Sequence, residues 1–546
     1  MLTTKLIRPA AKWFSWWQAL PTEKPKLSAA LAGLILGIAF PPASLPWGIW
    51  MAFPLLWGLA QRERPYRLLY LALLIWNFIG CYWLMLTALS APNLQEAILS
   101  LAAGAAAILA NPLLMLLPFF IWRQLRKAVE KVKKVPHSTS SSVLLFIPLW
   151  GLFEALHFRW ELTWSWLNLG FAWSEWSYWR NMVGIFGVVG LSVWSLMGAA
   201  LLHMRLLTAF VLWGFGSPAL SFLLHFPTET APPRHVYAIQ PDIDPYAKFA
   251  EFPPSEQVQR LLSLLPHSPP QGALIVLPET AIPTSVSIDA WEREPFLIPF
   301  KEYVQRHKVN LLIGIVGYKY FPPGSALSPS AYPSPEGGGY ETYNAALLLR
   351  PDTVQLHIKS RLVPFVERVP YLEVFTFLRK WQIDLGGGFG NFGKPSRQEA
   401  LSLYPDELPL TVAICYESIF MHDLRKRLPN RPALIAIITN DGWWKKSSGY
   451  WQHLTYGQLT ADALGTPAVR SANTGVSALL SSSGARITDL GYHRIGRIEG
   501  ILSPQKPATL YYRWGEIGWI GVSTFALIVW WIRWYRSLRF SPLSEK

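Results

Sequence analysis

The sequence predicts two fold classes in one chain: an α-helical membrane bundle of about eight spans and an α/β layered domain inserted before the last span. Three observations lead to this prediction. Of the 546 residues, 51% are hydrophobic and 15% are charged, and the mean hydropathy is +0.22, which is more apolar than a typical soluble protein. Long apolar runs fill the N-terminal part and return near the C-terminus. Between them, short apolar runs, many with β-branched residues, alternate with helix-like segments.

The apolar runs have the length of membrane helices or are somewhat shorter. A transmembrane helix needs about 20 mainly apolar residues. Prolines separate the first two runs, which we expect to form a hairpin or broken helices. Residues 1–26 are basic and rich in tryptophan, and we interpret them as an interfacial segment rather than a cleaved signal peptide, since more apolar runs follow directly. The runs are 27–43, 45–61, 68–90, 97–122, 143–158, 181–202, 206–225 and 515–532.

Basic residues cluster in alternate loops. They lie at 62–67, at 123–134, at Arg205 and in the tail at 533–539. The positive-inside rule places these loops and the N-terminus in the cytoplasm and the large insert outside it. The predicted domains are therefore a cytoplasmic or interfacial segment 1–26, a transmembrane domain 27–225, an extracytoplasmic domain 226–510, and a final span with its basic tail 511–546.

The net charge of +15 is explained by this topology. No basic helix is interleaved with stacking aromatic residues and no zinc-ligand spacing occurs, so a nucleic-acid partner is not expected. The two cysteines, Cys81 and Cys415, lie in different regions, which argues against a disulfide and against a cysteine metal cluster. His203 and His453 have no second ligand at metal spacing, so no metal is predicted.

The loop 159–180 holds six tryptophans. We favour an interfacial aromatic belt as its role. The alternative is a floor that touches a lipid substrate near the outer domain.

Three strand ends or adjoining segments of the outer domain carry reactive side chains. The apolar run 274–278 ends at Glu279, Lys359 lies in the segment 354–361, and the run 410–414 ends at Cys415. A thiol is a weak nucleophile until a base or a cation activates it. Glu279 is expected to take the thiol proton, while Lys359 and the backbone N–H of Tyr416 are expected to stabilise an oxyanion. Taken singly, each residue has a more common role. A glutamate such as Glu279 is more often a strand-end cap or a surface carboxylate, a lysine such as Lys359 a solvated charge, and a cysteine such as Cys415 an inert buried thiol.

Other catalytic motifs have less support. A Gly-x-Ser-x-Gly elbow is missing from the sequence, which counts against a serine hydrolase. The segment 388–393 matches Gly-x-Gly-x-x-Gly, but Lys394-Pro395 follows it where a dinucleotide-binding fold needs a helix.

The residues around the three reactive side chains resemble a known family. Leu-Pro-Glu279-Thr, Lys359-Ser-Arg-Leu-Val-Pro-Phe-Val-Glu and Cys415-Tyr-Glu resemble the Glu–Lys–Cys triad of the nitrilase, or carbon–nitrogen hydrolase, superfamily. Within a multi-span membrane frame, the chain resembles bacterial apolipoprotein N-acyltransferases. The segments that also fit are Gln240-Pro-Asp-Ile-Asp, Tyr343-Asn344, Asn440-Asp441-Gly-Trp-Trp444, Trp451-Gln-His453 and Arg470-Ser-Ala-Asn473-Thr-Gly475.

The resemblance implies a nitrilase-like αββα sandwich and a role for each matching residue. Cys415 would be the nucleophile, Glu279 the general base and Lys359 the oxyanion stabiliser. The other implied site residues are Glu367, which supports the site, Tyr416 and Glu417, which flank the nucleophile, Asn344 near the pocket, and Phe249. Two of these positions depart from the family. Val366 stands where the family usually has Gly, and Phe249 where it often has Trp.

The resemblance also implies the reaction and its partners. A phospholipid would donate an acyl group to Cys415, and the α-amine of a diacylglyceryl-cysteine at the N-terminus of an apolipoprotein would accept it. No cofactor is implied, a monomer is expected, and the location is the inner membrane with the catalytic domain on the periplasmic side. We expect Phe389, Phe392 and the aromatic residues of 443–451 to form a lid or lipid gate.

Two alternatives remain from the sequence. A membrane-anchored amidase or nitrilase would use water as the acceptor, although eight spans exceed what anchoring needs. A transporter with an extracytoplasmic binding domain would carry ionisable groups inside its spans. The spans here contain few, with Glu154 the main exception.

Overall fold

A computed structural model describes residues 15–91, 93–133, 139–224, 228–250, 252–282, 284–381, 390–395 and 398–539. The chain divides into two compact units. One unit comprises Met1–Tyr82, Ala105–Leu224 and Trp514–Lys546, and the other comprises Trp83–Gly104 and His225–Arg513.

The helices are α1 (Pro25–Ala39), α2 (Gly48–Ala60), α3 (Tyr66–Cys81), α4 (Leu94–Lys133), α5 (Thr139–His157), α6 (Ser177–Arg180), α7 (Val183–His203), α8 (Leu207–Val211), α9 (Ser217–Leu223), α10 (Ala247–Ala250), α11 (Pro254–Leu264), α12 (Ile298–His307), α13 (Met421–Arg427), α14 (Ser448–Leu464), α15 (Leu510–Trp514) and α16 (Ile517–Arg539).

The first unit is helical and apolar. Within the described residues, three helices are long and apolar enough to cross a membrane: Tyr66–Leu89, Leu94–Ala128 and Val183–His203. Five further apolar helices are shorter. They are Pro25–Ala39, Gly48–Ala60, Ser142–His157, Leu207–Leu223 and Ile517–Ile532. Length and composition therefore support three spans, and the count of about eight stays a prediction.

Helices α1 and α3 pack closely because glycines line one face of α1. A Cβ added at Gly33 would lie 2.4 Å from the carbonyl oxygen of Ala72 and 2.7 Å from Cβ of Ile75. A Cβ at Gly37 would lie 2.6 Å from Cβ of Ile79. Small residues at such positions let helix backbones approach, which is how helices associate where the hydrophobic effect does not drive them.

The tryptophan-rich loop 159–180 departs from the predicted aromatic belt. Trp166 and Trp173 are fully buried inside the helical unit. The indole Nε1 of Trp173 donates a hydrogen bond of 2.8 Å to Oγ of Ser195 on α7. Trp176 keeps the interfacial character, with 38% of its surface exposed. The belt interpretation is therefore wrong for Trp166 and Trp173, because they form part of the core.

The second unit contains two β-sheets. The first sheet has eight strands in the order β14-β1-β2-β4-β6-β5, with β3 paired to β4 and β7 to β6, and the second has the order β13-β12-β11-β10-β9-β8. β1, β2 and β4 run parallel, as do β9, β10 and β11. The strands are β1 (Arg234–Gln240), β2 (Leu274–Val276), β3 (Ser285–Ser287), β4 (Asn310–Phe321), β5 (Tyr332–Pro333), β6 (Gly339–Leu349), β7 (Val354–Ile358), β8 (Leu401–Leu403), β9 (Leu408–Ile414), β10 (Leu434–Thr439), β11 (Ala468–Ala472), β12 (Ser477–Leu480), β13 (Arg486–Leu490) and β14 (Gly496–Leu502).

Alternating side chains build the layers of this unit. Val236 and Ala238 of β1 join Val412 and Ile414 of β9 in one core cluster, so the two sheets face each other. The alternate residues of β1, such as Ile239, pack with α11 and α12 on the outer face of the first sheet. α14 contacts the second sheet, where Gly457 lies against the side chain of Ile437. The predicted αββα sandwich is confirmed.

Residues Trp83–Gly104 cluster with the α/β unit, although the sequence assigns them to the membrane domain. The ring of Trp83 lies 4.7 Å from that of Trp444. Its Nε1 donates a hydrogen bond of 3.0 Å to Oε1 of Gln452 on α14. This segment therefore packs within the second unit through one buried tryptophan.

We expect Gly33→Ala to lower the thermal midpoint of the protein in detergent micelles. The added methyl group would overlap the α3 backbone, and overpacking of this kind costs about 1–3 kcal/mol. The matched control is Gly521→Ala on α16, where a Cβ meets nothing within 4 Å. That change should be neutral or stabilise by about 0.5–1 kcal/mol, since alanine favours a helix. Equal midpoints for the two variants would contradict the close packing of α1 on α3.

Candidate active site

Cys415 lies at a sharp bend after a buried strand. Every residue of β9 is buried, and the chain turns at Cys415 into a 3-10 helix, Cys415–Ile419. The φ angle of Cys415 is +50°. Residues with side chains seldom adopt this conformation, which costs about 1–3 kcal/mol and persists only where surrounding contacts impose it. The strained backbone at this bend places the Cys415 thiol at the end of a strand.

Glu279 and Lys359 follow two strands of the other sheet. Glu279 comes after β2 and Lys359 directly after β7. Both are buried, and Nζ of Lys359 lies 3.2 Å from Oε1 of Glu279. The backbone N–H of Lys359 donates a hydrogen bond of 2.8 Å to the carbonyl oxygen of Asn344 on β6, which fixes the segment that carries the ammonium.

A second carboxylate and an amide complete this cluster. Oε1 of Glu367 accepts from Nζ of Lys359 at 2.7 Å and from Nδ2 of Asn344 at 2.9 Å. The same amide nitrogen donates to Oε1 of Glu279 at 2.8 Å. One ammonium and one amide therefore hold two carboxylates together, and the negative charges exceed the positive by one.

The electrostatics of the cluster extend to the thiol. Burial alone would lower the pKa of Lys359, but Glu279, Glu367 and Cys415 outweigh it and raise that pKa. Lys359 is therefore held as an ammonium. Burial and the Glu279 carboxylate raise the pKa of the Cys415 thiol, although Lys359 acts against them. The thiol is therefore protonated at rest, and Glu279 and Lys359 both act on it. Nucleophilic attack by Cys415 requires transfer of this proton to a base.

The turn that carries Glu279 rests on β4. A Cβ added at Gly314 would lie 2.4 Å from the carbonyl oxygen of Pro278 and 2.7 Å from Cα of Glu279. The N–H of Ala281 donates a hydrogen bond of 2.7 Å to the carbonyl oxygen of Gly314. Glycine is needed here because the backbones of the strand and the turn touch.

Val366 lies in a turn whose left-handed residue is its neighbour. The left-handed residue is Phe365, with a φ of +63°, and Val366 has no positive φ. The N–H of Val363 donates a hydrogen bond of 2.8 Å to Oε2 of Glu367, which fixes the carboxylate. Val366, which stands where a glycine was expected, is therefore the neighbour of the strained residue and not the strained residue itself.

Glu417 has a structural function that its position in the sequence does not reveal. Its Oε2 accepts from the N–H of Ile414 at 2.9 Å and lies 3.2 Å from Nε2 of His357. Its Oε1 accepts from the N–H and the hydroxyl of Ser360, at 2.9 and 2.6 Å. Although burial opposes the effect, Arg427 and His357 lower the pKa of Glu417. This buried carboxylate ties the residue before Cys415 to the residue after Lys359.

The sequence analysis missed a second buried group, which lies beside Cys415. Asp441 accepts from Arg470 at 2.7 Å and pairs with Nδ1 of His453 at 2.8 Å, and all three side chains are fully buried. Nε2 of His453 lies 3.1 Å from the carbonyl oxygen of Cys415. Burial would raise the pKa of Asp441, but Arg470 and His453 lower it to about 2. The sequence analysis treated His453 as isolated because its partners lie 12 and 17 residues away along the chain.

The other predicted residues lie as follows. Tyr416 is buried, and its ring packs edge-on against Phe420 at 4.9 Å. Phe249 belongs to α10, but its side chain lies outside the described residues, as does the whole of Phe389. Phe392 is buried against Val316 and Leu362. Phe392 is therefore a core residue, whereas the sequence analysis assigned it to a lid.

Comparisons with known proteins agree with both units. Residues 252–498 match the family described as carbon-nitrogen hydrolase, and residues 32–201 match the apolipoprotein N-acyltransferase N-terminal domain. The chain is similar to apolipoprotein N-acyltransferases in both units. An apolipoprotein N-acyltransferase from Chlorobaculum tepidum is 28% identical over 83% of this chain and 86% of that protein. One from Methylococcus capsulatus is 27% identical over 70% and 72%. A carbon-nitrogen hydrolase structure from Helicobacter pylori G27 is 10% identical, with a TM-score of 0.30 over 52% of this chain and 94% of that one.

We expect Gly314→Ala to slow the chemistry of Cys415 by about 100-fold, since displacement of a catalytic group by about 1 Å has an effect of this size. The rate of Cys415 acylation by phospholipid, followed by intact mass, measures it. Gly457→Ala on α14 is the control because its Cβ would meet only the end of the Ile437 side chain, Cδ1, at 3.3 Å, and a small shift of that side chain relieves the contact. A normal rate in Gly314→Ala would show that the Glu279 turn tolerates displacement.

We expect Asp441→Asn to destabilise the α/β unit by about 3–5 kcal/mol, because Arg470 is left buried without its counter-charge. Chemical denaturation followed by tryptophan fluorescence measures the change. Asp489→Asn is the control, since its ion pair with Arg486 is partly exposed and its loss should stay within about 0.5 kcal/mol. Similar losses in both variants would mean that the buried group does not stabilise the bend.

Proposed function

We propose that this chain transfers an acyl group from a membrane phospholipid to the α-amine of the diacylglyceryl-cysteine that begins an apolipoprotein. The observation that carries the proposal is a buried Glu279–Lys359 pair acting on the Cys415 thiol, in a chain whose helical unit matches the N-terminal domain of apolipoprotein N-acyltransferases. The relatives named above bear the same activity in their names. The product would be a lipoprotein with a third acyl chain in amide linkage.

The first half-reaction forms a thioester. Sγ of Cys415 attacks the carbonyl carbon of the phospholipid ester, and its proton passes to Glu279. The ammonium of Lys359 stabilises the negative oxygen of the tetrahedral intermediate. The C–O bond of the ester then breaks, and the leaving lysophospholipid takes the proton from Glu279.

The second half-reaction forms the amide. The neutral α-amine of the acceptor attacks the thioester carbon, and a C–N bond forms. The C–S bond breaks, and Glu279 accepts the surplus proton from the amine and passes it to the Cys415 thiolate, which restores the thiol and the carboxylate. Glu367 and Asn344 hold Glu279 and Lys359 in place through both steps.

The membrane is the natural location for both substrates. Lifting a lipid chain into water costs about 0.8 kcal/mol per CH₂, so the site must work at the bilayer surface. We propose that the three long and five shorter apolar helices are eight spans of the inner membrane. The basic loops would lie in the cytoplasm and the sandwich on the periplasmic side. The protein is proposed to act as a monomer without a cofactor.

Exposed apolar residues support a lipid-facing surface near the glycine-rich segment. Val374 and Phe377 each expose 71% of their surface. They precede the glycine-rich segment 386–393 in the sequence. We propose that this segment, apart from its buried Phe392, acts with Trp443 and Trp444 as a gate for acyl chains. Exposed apolar side chains of this kind are typical of a surface that meets another apolar phase.

Mixing the protein with a phospholipid of defined acyl chains should add the mass of one acyl group at Cys415, as measured by intact mass and peptide mapping. Cys415→Ala should abolish the adduct, and Glu279→Gln should slow its formation at least about 100-fold. Cys81→Ala removes the other cysteine of the chain and should leave the adduct unchanged.

Addition of a diacylated lipopeptide should then discharge the thioester to an amide. Discharge to free fatty acid at the same rate with and without the lipopeptide would instead identify a membrane-anchored hydrolase. No adduct at all in the wild-type protein would reject the acyl-enzyme mechanism.

A further inference from the structure

A second buried lysine contacts the turn that carries Glu279. Lys248 lies on the short helix α10 and exposes 1% of its surface. Its Nζ lies 3.4 Å from the carbonyl oxygen of Glu279 and 3.3 Å from Oγ1 of Thr280. These contacts reach the backbone of the proposed general base, whereas Lys359 reaches its carboxylate.

The backbone of Lys248 is itself held firmly. Its N–H donates a hydrogen bond of 3.0 Å to the carbonyl oxygen of Asp244. Its own carbonyl oxygen accepts a hydrogen bond of 2.6 Å from Nε2 of Gln257, a buried residue of α11. The same amide nitrogen donates to the carbonyl oxygen of Phe252 at 2.7 Å. These hydrogen bonds fix the backbone from which the Lys248 side chain extends.

The turn that Lys248 contacts adopts a strained conformation. Thr280 has a φ of +47°, which a β-branched residue rarely adopts. Gly314 of β4 supports this turn through backbone contact. The donor pair from Lys248 to Glu279 and Thr280 supplies a second support, so the direction of the Glu279 carboxylate depends on both.

A buried ammonium is stable only with a negative charge nearby. Among the described residues, the charge of Glu279 acts on Lys248. Glu279 in turn pairs with Lys359, which pairs with Glu367. Burial lowers the pKa of Lys248 to about 7, although Glu279 acts in the opposite direction. An ammonium at this place is costly to bury, and nothing in the Glu279–Lys359–Cys415 chemistry described above uses it.

We propose that Lys248 is a positioning residue for Glu279: its ammonium holds the strained Glu279–Thr280 turn and adds a second positive charge beside the proposed general base. This inference rests on the proposed function for the role of Glu279. Lys248 touches neither the reacting thiol nor the acyl group in this account. It acts through the orientation and charge of the carboxylate that accepts the proton.

The test compares two lysine variants. Lys248→Met keeps the length of the side chain and removes its charge. Lys301→Met is the control, a partly exposed lysine on α12 whose Nζ donates to the carbonyl oxygen of Glu292. All variants carry Cys81→Ala. Formation of the Cys415 thioester from a phospholipid is followed by intact mass between pH 5 and 9. We expect Lys248→Met to slow the reaction about tenfold at neutral pH, Lys301→Met to leave it unchanged, and Lys248→Arg to restore part of the rate.

The pH profile separates positioning from a merely structural role. Below its pKa of about 7 Lys248 is an ammonium. Its removal takes a nearby positive charge from the Glu279 carboxylate, so the acid limb of the profile should move to higher pH. A wild-type rate and profile in Lys248→Met would overturn the proposal. A slower rate with an unmoved acid limb would also overturn it, since that result indicates a structural effect alone.

Two further measurements test the role of Lys248 if the Lys248→Met variant does not fold or if the wild-type protein does not react with a phospholipid. If Lys248→Met does not fold, Thr280→Val removes one acceptor of the ammonium and should slow the reaction in the same direction, and a wild-type rate would overturn the proposal. If the wild-type protein forms no thioester, the proposed function fails. Alkylation of Cys415 by iodoacetamide against pH then reports the same shift of the acid limb, and its absence would reject the role of Lys248.

Discussion

The site depends on a buried cluster with one ammonium and two carboxylates. Lys359 is almost completely inaccessible to water, and Glu279 and Glu367 both accept from it. Charges removed from water are stable only when each is paired and hydrogen-bonded, and Asn344 supplies the remaining donor to both carboxylates. Because the three charged groups are fixed to one sheet and its following loops, the thiol on the other sheet meets a preformed electrostatic environment.

The bend at Cys415 is held by a separate set of groups. Glu417 binds the backbone before the cysteine and the loop after Lys359, so it couples the two sheets at the place where the reactive side chains meet. His453, oriented by Asp441, contacts the carbonyl oxygen of the cysteine itself. These buried carboxylates offset the strain of a positive φ angle, and they do so without entering the proposed chemistry. Glu417 and Asp441 thus hold the bend, whereas the proposed proton transfer uses a different acid, Glu279.

The sequence predicted the interior of the sandwich better than its edges. The central strands, such as β9 and β10, are continuous apolar runs because both of their faces are buried. The edge strands β13 and β14 contain charged residues or glycine and are partly exposed, so their composition resembles that of a loop, and the sequence analysis did not find them. The burial of Trp166 and Trp173 was missed for a related reason: tryptophan is common both at membrane interfaces and in helix-packed cores, and composition does not separate the two.

The sequence by itself predicted the residue types of the proposed site, the strand ends that carry them and the family resemblance, because strand ends and short motifs are local features. It also determined that an apolar helical part precedes and follows the α/β part. Only the tertiary structure decided which charges share a cluster. Asp441, His453 and Arg470 are brought together by the ends of β10 and β11 and the start of α14, and Lys248 reaches Glu279 from a different helix. Contacts between distant segments depend on how strands and helices are arranged, and no local pattern records that arrangement.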